Sequence, residues 1–344
     1  MSIDIYSTYT LAGVISNTKP SVPGFWLNFA TRQFNFATEE IHFDEVRVDN
    51  RRVAPYVMPT VAGKPQRDRG YETLKYKPAY VKIHHTIDPS RTLARTPGEA
   101  YGGALSPMQR QQALLAAYMR DQRDAIERRW NLMVAEVMLT GVLTVEDEAY
   151  PRQVIDFGRA ANHSITLAAG SRWGDSGIDP LDNLEDWGIR VQDACNYPVD
   201  VVIMGTAAWA KFRKAQGLKD LLDIRRGAEK IGGLDIAPGS GAPLQYKGSD
   251  GNRQFWVYRE TYELNETTTV EIMDPRDVLM VATGGLDMAR CFGAILDVDV
   301  MRADPIFTKS WVTEEPSRRN LLSQSAPLMV PGRPNATLRA RVTA

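Results

Sequence analysis

Few residues of this chain are typed and spaced for chemistry. The densest ionisable cluster is His84-His85-Thr86-Ile87-Asp88. Two imidazoles beside a carboxylate are the groups that hold a divalent metal or exchange protons. The surrounding run Tyr80–Ile87 alternates like a strand, however, so His84 and His85 point to opposite faces and cannot share a metal without a bulge. Cys195 and Cys291 stand alone, with no Cys-x-x-Cys and no histidine beside them, and read as small buried apolar residues. The acidic run Asp179–Asp186 lacks the alternating ligand positions and closing Glu of a calcium loop. Pro238-Gly239-Ser240-Gly241 is too short to cradle phosphate and opens no helix. The phosphate-loop, dinucleotide, nucleophile-elbow and H-E-x-x-H motifs are absent. The sequence assigns no catalytic residue, no cofactor and no metal, and reads as a non-enzyme.

With chemistry set aside, composition bounds the class. The 344 residues are 43% hydrophobic and 24% charged, as in a soluble globular protein. The start, Met1-Ser2-Ile3-Asp4, carries no basic leader, and no segment approaches the ~18 apolar residues of a membrane span. A cytosolic place of synthesis and no membrane partner are therefore expected. Net charge is −1, which argues against a strong nucleic-acid binder. Its distribution is uneven: residues 51–130 carry a net +8 and residues 131–200 a net −8. Such blocks either solvate separate faces or meet between neighbouring copies, where they give register and steering.

Residues 1–50 lack helical periodicity, and their aromatic patches at Phe25-Trp26, Phe34 to Phe36 and Phe43 cannot form a core alone. They read as an extended arm laid on this subunit or the next. Prolines 55, 59, 65, 78, 89 and 97 bar a long helix from residues 51–105. Strand-like alternation at Tyr56-Val57-Met58 and at Tyr80–Ile87 flanks a polar run from Gly63 to Gly70, which suggests a long basic two-stranded loop. An isolated ribbon is marginal in water, so it needs a partner surface.

Ser106-Pro107-Met108-Gln109 then joins a Ser N-cap, proline at the first helical position and glutamine placed to close a capping box. No Gly or Pro follows until Gly141, which is placed as a left-handed terminator. That predicts a helix of roughly 50 Å. Its apolar stripe is Leu115, Met119, Gln122, Ile126, Trp130, Met133 and Val137; its charged side is Arg120, Asp121, Arg123, Asp124, Glu127 and Arg128. Downstream, strands are expected at 153–157, 164–168, 199–204, 254–258, 268–273 and 278–282. Helices are expected at 184–195 and 206–215, the second capped by Thr206, with an exposed connection from Gly227 to Gly248. This alternation describes a mixed lobe.

Four stretches resemble, in order, the major capsid proteins of lambda-like tailed bacteriophages. They are Lys77-Pro78-Ala79-Tyr80-Val81-Lys82 with His85 and Pro89; Trp209-Ala210-Lys211-Phe212-Arg213; Asp223-Ile224-Arg225-Arg226-Gly227; and Trp311-Val312-Thr313 with Gln324-Ser325-Ala326-Pro327-Leu328-Met329. The resemblance implies an α+β Hong Kong 97-type major capsid fold. Its parts would be an N-terminal arm (1–50), an extended E-loop region (51–105) and a peripheral domain (106–184) containing the long spine helix at 106–141. An axial domain (185–290) and a peripheral return with a C-terminal segment (291–344) would complete it. It further implies hexamers and pentamers forming an icosahedral shell around packaged double-stranded DNA, assembled in the bacterial host cytoplasm. A separate scaffolding protein, a portal and a decoration protein would be partners. Lys64, Arg67, Arg69, Tyr80, Lys82, Arg225 and Arg226 are the inter-subunit contacts it suggests, with no cross-link expected at Lys64. An encapsulin-like shell or another self-assembling shell or tail component is the alternative, and near-neutral charge suits a container that must not grip its contents.

Overall fold

The capping signals around Ser106 act as their chemistry requires. Gln109 N–H donates to Ser106 Oγ (3.3 Å) and Ser106 N–H donates to Gln109 Oε1 (2.8 Å), closing the box. The helix runs Pro107–Thr140, 34 residues, and ends where Gly141 turns left-handed at φ 77° and bonds Val137 O at 2.8 Å. A Cβ at Gly141 would lie 2.5 Å from the Arg159 side chain, so sterics and backbone conformation both select glycine there.

A computed structural model describes residues 11, 24–46, 56, 58, 60, 71–93, 106–147, 150–215, 243–265, 268–298 and 304–344. All seven residues of the helix stripe are buried. The charged side is only partly wet: Arg120, Asp121 and Arg128 are exposed, and Arg123 pairs with Glu127 at 2.7 Å. Asp124 corrects the reading, because it is buried. A second element covers this side: Asn131, two turns further along it, accepts from Trp26 N–H (2.8 Å) and Leu27 N–H (3.3 Å) of the N-terminal segment. Phe25, Trp26 and Phe29 are buried in this same chain, with Trp26 Nε1–H donating to Tyr258 Oη at 2.8 Å. Phe25, Trp26 and Phe29 thus find their partner surface within the subunit, whereas Phe34 stays exposed.

The core gathers around a six-stranded sheet. Its order is Ser164–Thr166, Thr337–Arg341, Asp277–Val281, Val201–Met204, Arg253–Tyr258 and Leu244–Asp250. The two middle strands, Asp277–Val281 and Val201–Met204, are buried at every position, as the apolar runs 278–281 and 201–204 require; Asp277 is the one charged residue among them. Helix Pro180–Cys195 buries Leu184, Trp187 and Val191. Trp173 lies between Trp187 (6.2 Å) and Phe212 (5.6 Å) of helix Thr206–Phe212. A second sheet, Arg32–Asn35 with Met288–Phe292 and Pro327–Pro331, packs near the C-terminal half of the long helix, where Trp130 and Phe292 meet at 4.9 Å. A third sheet, Phe307–Thr313 with Arg318–Ser325 and Val81–Ile87, lies against the helix nearer its start. Three two-stranded ribbons complete the described residues: Ile41–Val46 with Tyr71–Tyr76, Val142–Asp147 with Tyr150–Asp156, and Thr261–Asn265 with Thr268–Glu271. No described helix is long and apolar enough to cross a membrane.

Several expectations change. The Val81–Ile87 strand pairs with Arg318–Ser325, and the ribbon near the N-terminus joins 41–46 to 71–76; Tyr56 and Met58 are exposed outside any strand. The helix expected from 184 starts at Pro180, because Asp179 Oδ1 accepts from Leu181 N–H at 2.9 Å and proline follows at the first position. Gly205, not Thr206, caps the next helix. A Cβ at Gly205 would lie 2.4 Å from Pro275 O, so the cap position admits only glycine. The Gly227–Gly248 connection ends earlier than expected, since Leu244–Asp250 is an edge strand; residues 227–242 lie outside the described residues.

Candidate assembly surfaces

The third sheet is fixed to the helix by a polar junction. His84 and His85 do point to opposite faces. His85 faces the helix, stacked on Tyr118 at 4.8 Å, and its Nδ1 lies 3.0 Å from Gln122 Nε2. Gln122 also donates to Leu321 O (3.0 Å) and accepts from Ser323 Oγ (2.6 Å), which lies 3.1 Å from Thr308 Oγ1. Gln122 is fully buried, so its bonding groups must be satisfied from the sheet. Burial lowers the His85 pKa against the raising pull of Asp121, which favours the neutral ring as acceptor of the Gln122 amide. Around this junction Leu115, Met119, Leu321 and Leu11 form a small core separate from the main one.

The opposite face of this sheet is open. There His84 stacks on Trp311 at 5.5 Å and 8°, and its Nε2 lies 3.2 Å from Asn320 Oδ1. Trp311 keeps 40% of its surface exposed. Tyr80, at the start of the strand, donates from its hydroxyl to Ala294 O (2.9 Å) and accepts from Leu296 N–H (3.1 Å), while Lys82 Nζ lies 5.3 Å from the Tyr80 ring centre. The Tyr80 hydroxyl thus forms an intrachain bridge, and Lys82 is exposed. Lys64, Arg67, Arg69, Arg225 and Arg226 lie outside the described residues.

Both histidines near the sequence cluster are thus structural, and the cysteines are too. Cys195 and Cys291 are buried, and burial pushes the Cys291 thiol up to about 12. What the molecule offers instead is surface: among the described residues, ribbons of two strands and an exposed aromatic sheet face. Sequence reasoning expected a strand at 153–157 but missed its partner at 142–147 and the junction around Gln122. The one signal for the junction is a glutamine inside an otherwise apolar stripe.

A family model described as phage major capsid protein E matches residues 7–342. This chain belongs to that family. The major capsid protein of Escherichia phage N15 is 30% identical over 338 residues, covering 95% of this chain and 96% of that one. The major capsid protein of Escherichia phage lambda is 29% identical over 336 residues, covering 94% and 96%. A capsid protein structure from an Escherichia coli CFT073 prophage superposes with a TM-score of 0.76 at 24% identity, covering 98% of this chain and 99% of that one. The fold is therefore an α+β capsid fold. As a phage major capsid protein, the chain is a structural subunit of the head shell and not an enzyme, and its place is the virion.

Proposed function

We propose that this subunit assembles as hexamers and pentamers into an icosahedral shell around packaged double-stranded DNA, in the cytoplasm of its bacterial host. The observation that carries this reading is the pairing of Ile41–Val46 with Tyr71–Tyr76. A two-stranded ribbon is marginal in water without a surface to lie on. In a shell that surface belongs to a neighbour.

In this reading residues 1–50 are the N-terminal arm and 51–105 the E-loop region. Residues 106–184, with the spine helix 106–141, and 291–344 form the peripheral domain, and 185–290 the axial domain. Lys64, Arg67 and Arg69 would reach an adjacent subunit from the loop, Arg225 and Arg226 would meet their counterparts near the capsomer axis, and Tyr80 and Lys82 would contact a neighbouring subunit. A scaffolding protein, a portal and a decoration protein complete the partner set.

Replacing residues 47–70 with a short Gly-Ser turn tests this. The expected outcome is a subunit whose thermal midpoint, measured unassembled, stays within a few degrees of the parent while shell formation is lost in negative-stain images. Shells of normal yield from that variant would show that the loop carries no assembly contact.

A further inference from the structure

Two surfaces at different points along the long helix carry opposite charge. The three strands Val81–Ile87, Phe307–Thr313 and Arg318–Ser325 carry Lys82, Lys309 and Arg318 on the face away from the helix and no carboxylate. Their open face adds the exposed Trp311 beside His84. Some of this charge is answered at the margins, where Arg318 meets Asp88 at 2.8 Å, Lys309 meets Asp297, and the turn between the strands carries Glu314 and Glu315. The Val142–Asp156 ribbon is the converse: its described residues hold Glu146, Asp147 and Asp156 against Arg152. Its Val154 is 57% exposed. The Glu146–Arg152 pair is itself exposed at 3.6 Å, so it holds little energy against a better partner.

The helix sets how far apart these surfaces are. The sheet is anchored at Gln122, and the ribbon begins at Gly141, braced by Thr144 N–H donating to Glu136 Oε1 at 2.9 Å. Along a rigid helix that separation is about 27 Å. The ribbon therefore leaves the helix about five turns from the point that anchors the sheet. Complementary patches held apart on one rigid rod can meet between copies, and a head-to-tail contact of that kind closes into rings when the rotation permits.

We infer that the acidic 142–156 ribbon of one subunit docks on the basic aromatic sheet face around Lys82, His84 and Trp311 of a second copy. This rests on the shell reading and specifies one of its contacts. Charge-reversal exchange in the full-length chain tests it. Glu146→Lys and Lys82→Glu are each expected to lower shell yield at least about tenfold in sedimentation, the double variant is expected to restore it, and added salt is expected to weaken parent assembly. Thermal melts confirm that each variant folds. If both folded single variants assemble like the parent, or if the double variant gives no recovery, this docking is wrong while the shell reading stands. If the parent itself forms no shells with its scaffold supplied, both fail.

Discussion

Trp130→Ala is expected to destabilise the unassembled subunit by about 3–5 kcal/mol, read as a shift in the denaturant midpoint at unchanged slope. The ring is 5% exposed and lies against Phe292 at 4.9 Å, so truncation opens a cavity between helix and second sheet. The neighbours cannot collapse into it, because Phe292 belongs to a strand hydrogen-bonded on both sides. Trp130→Phe separates the causes. Trp130 Nε1 is buried with no hydrogen-bond partner, so phenylalanine loses volume yet also removes an unmet polar group. That variant is expected to cost far less than alanine. A loss below about 1 kcal/mol for Trp130→Ala would mean that the stripe does not carry the packing assigned to it.

Asp277→Ala is expected to cost about 2–4 kcal/mol in the same measurement. Asp277 is 2% exposed at the start of a central strand. Its Oδ2 accepts from Arg339 Nε at 2.7 Å and its Oδ1 from Arg341 Nε at 3.0 Å, both on the Thr337–Arg341 strand. Removing a buried carboxylate strands two guanidinium groups. The upper end of the usual range is not reached because Arg339 and Arg341 keep 27% and 32% of their side-chain surface in water. Arg341 also keeps Asp274 at 2.9 Å, whose own carboxyl is held down to about 2, first by its hydrogen bond from Arg276. A loss confined to a few tenths of a kcal/mol would show that the terminal strand is held by its backbone ladder alone.

The two sites differ in how far the sequence announces them. Trp130 was legible: steps of three and four from a capped start place it on the buried stripe, and local spacing is all that inference needs. Asp277 was not, since its partners sit more than sixty residues away and nothing near it marks a carboxylate that will be buried. The same division runs through the fold. Period-two alternation placed His84 and His85 on opposite faces, but not the strand that pairs with them, because Val81–Ile87 finds Arg318–Ser325 across most of the chain. The ribbon of 41–46 with 71–76 was missed for that reason, its strands being separated by residues 47–70. Gly205 was overlooked as a cap because its selection comes from the close approach of Pro275, a tertiary fact, while Thr206 carried the side chain that usually signals one. For the proposed docking, the −8 block contains the ribbon and the +8 block contains Lys82, whereas Lys309 and Arg318 join Lys82 only through the pairing of strands far apart in sequence.

We propose that this chain, with its long capped helix and two-stranded ribbons, works by joining copies of itself into a closed shell. Cryo-electron microscopy of the full-length protein, expressed with the scaffolding protein of the same phage, tests that most directly. The account predicts closed particles with five-fold and six-fold capsomers, in which the 41–46/71–76 ribbon of each subunit lies on a neighbour. A population of folded monomers, or open tubes in which those ribbons touch only their own subunit, would contradict it.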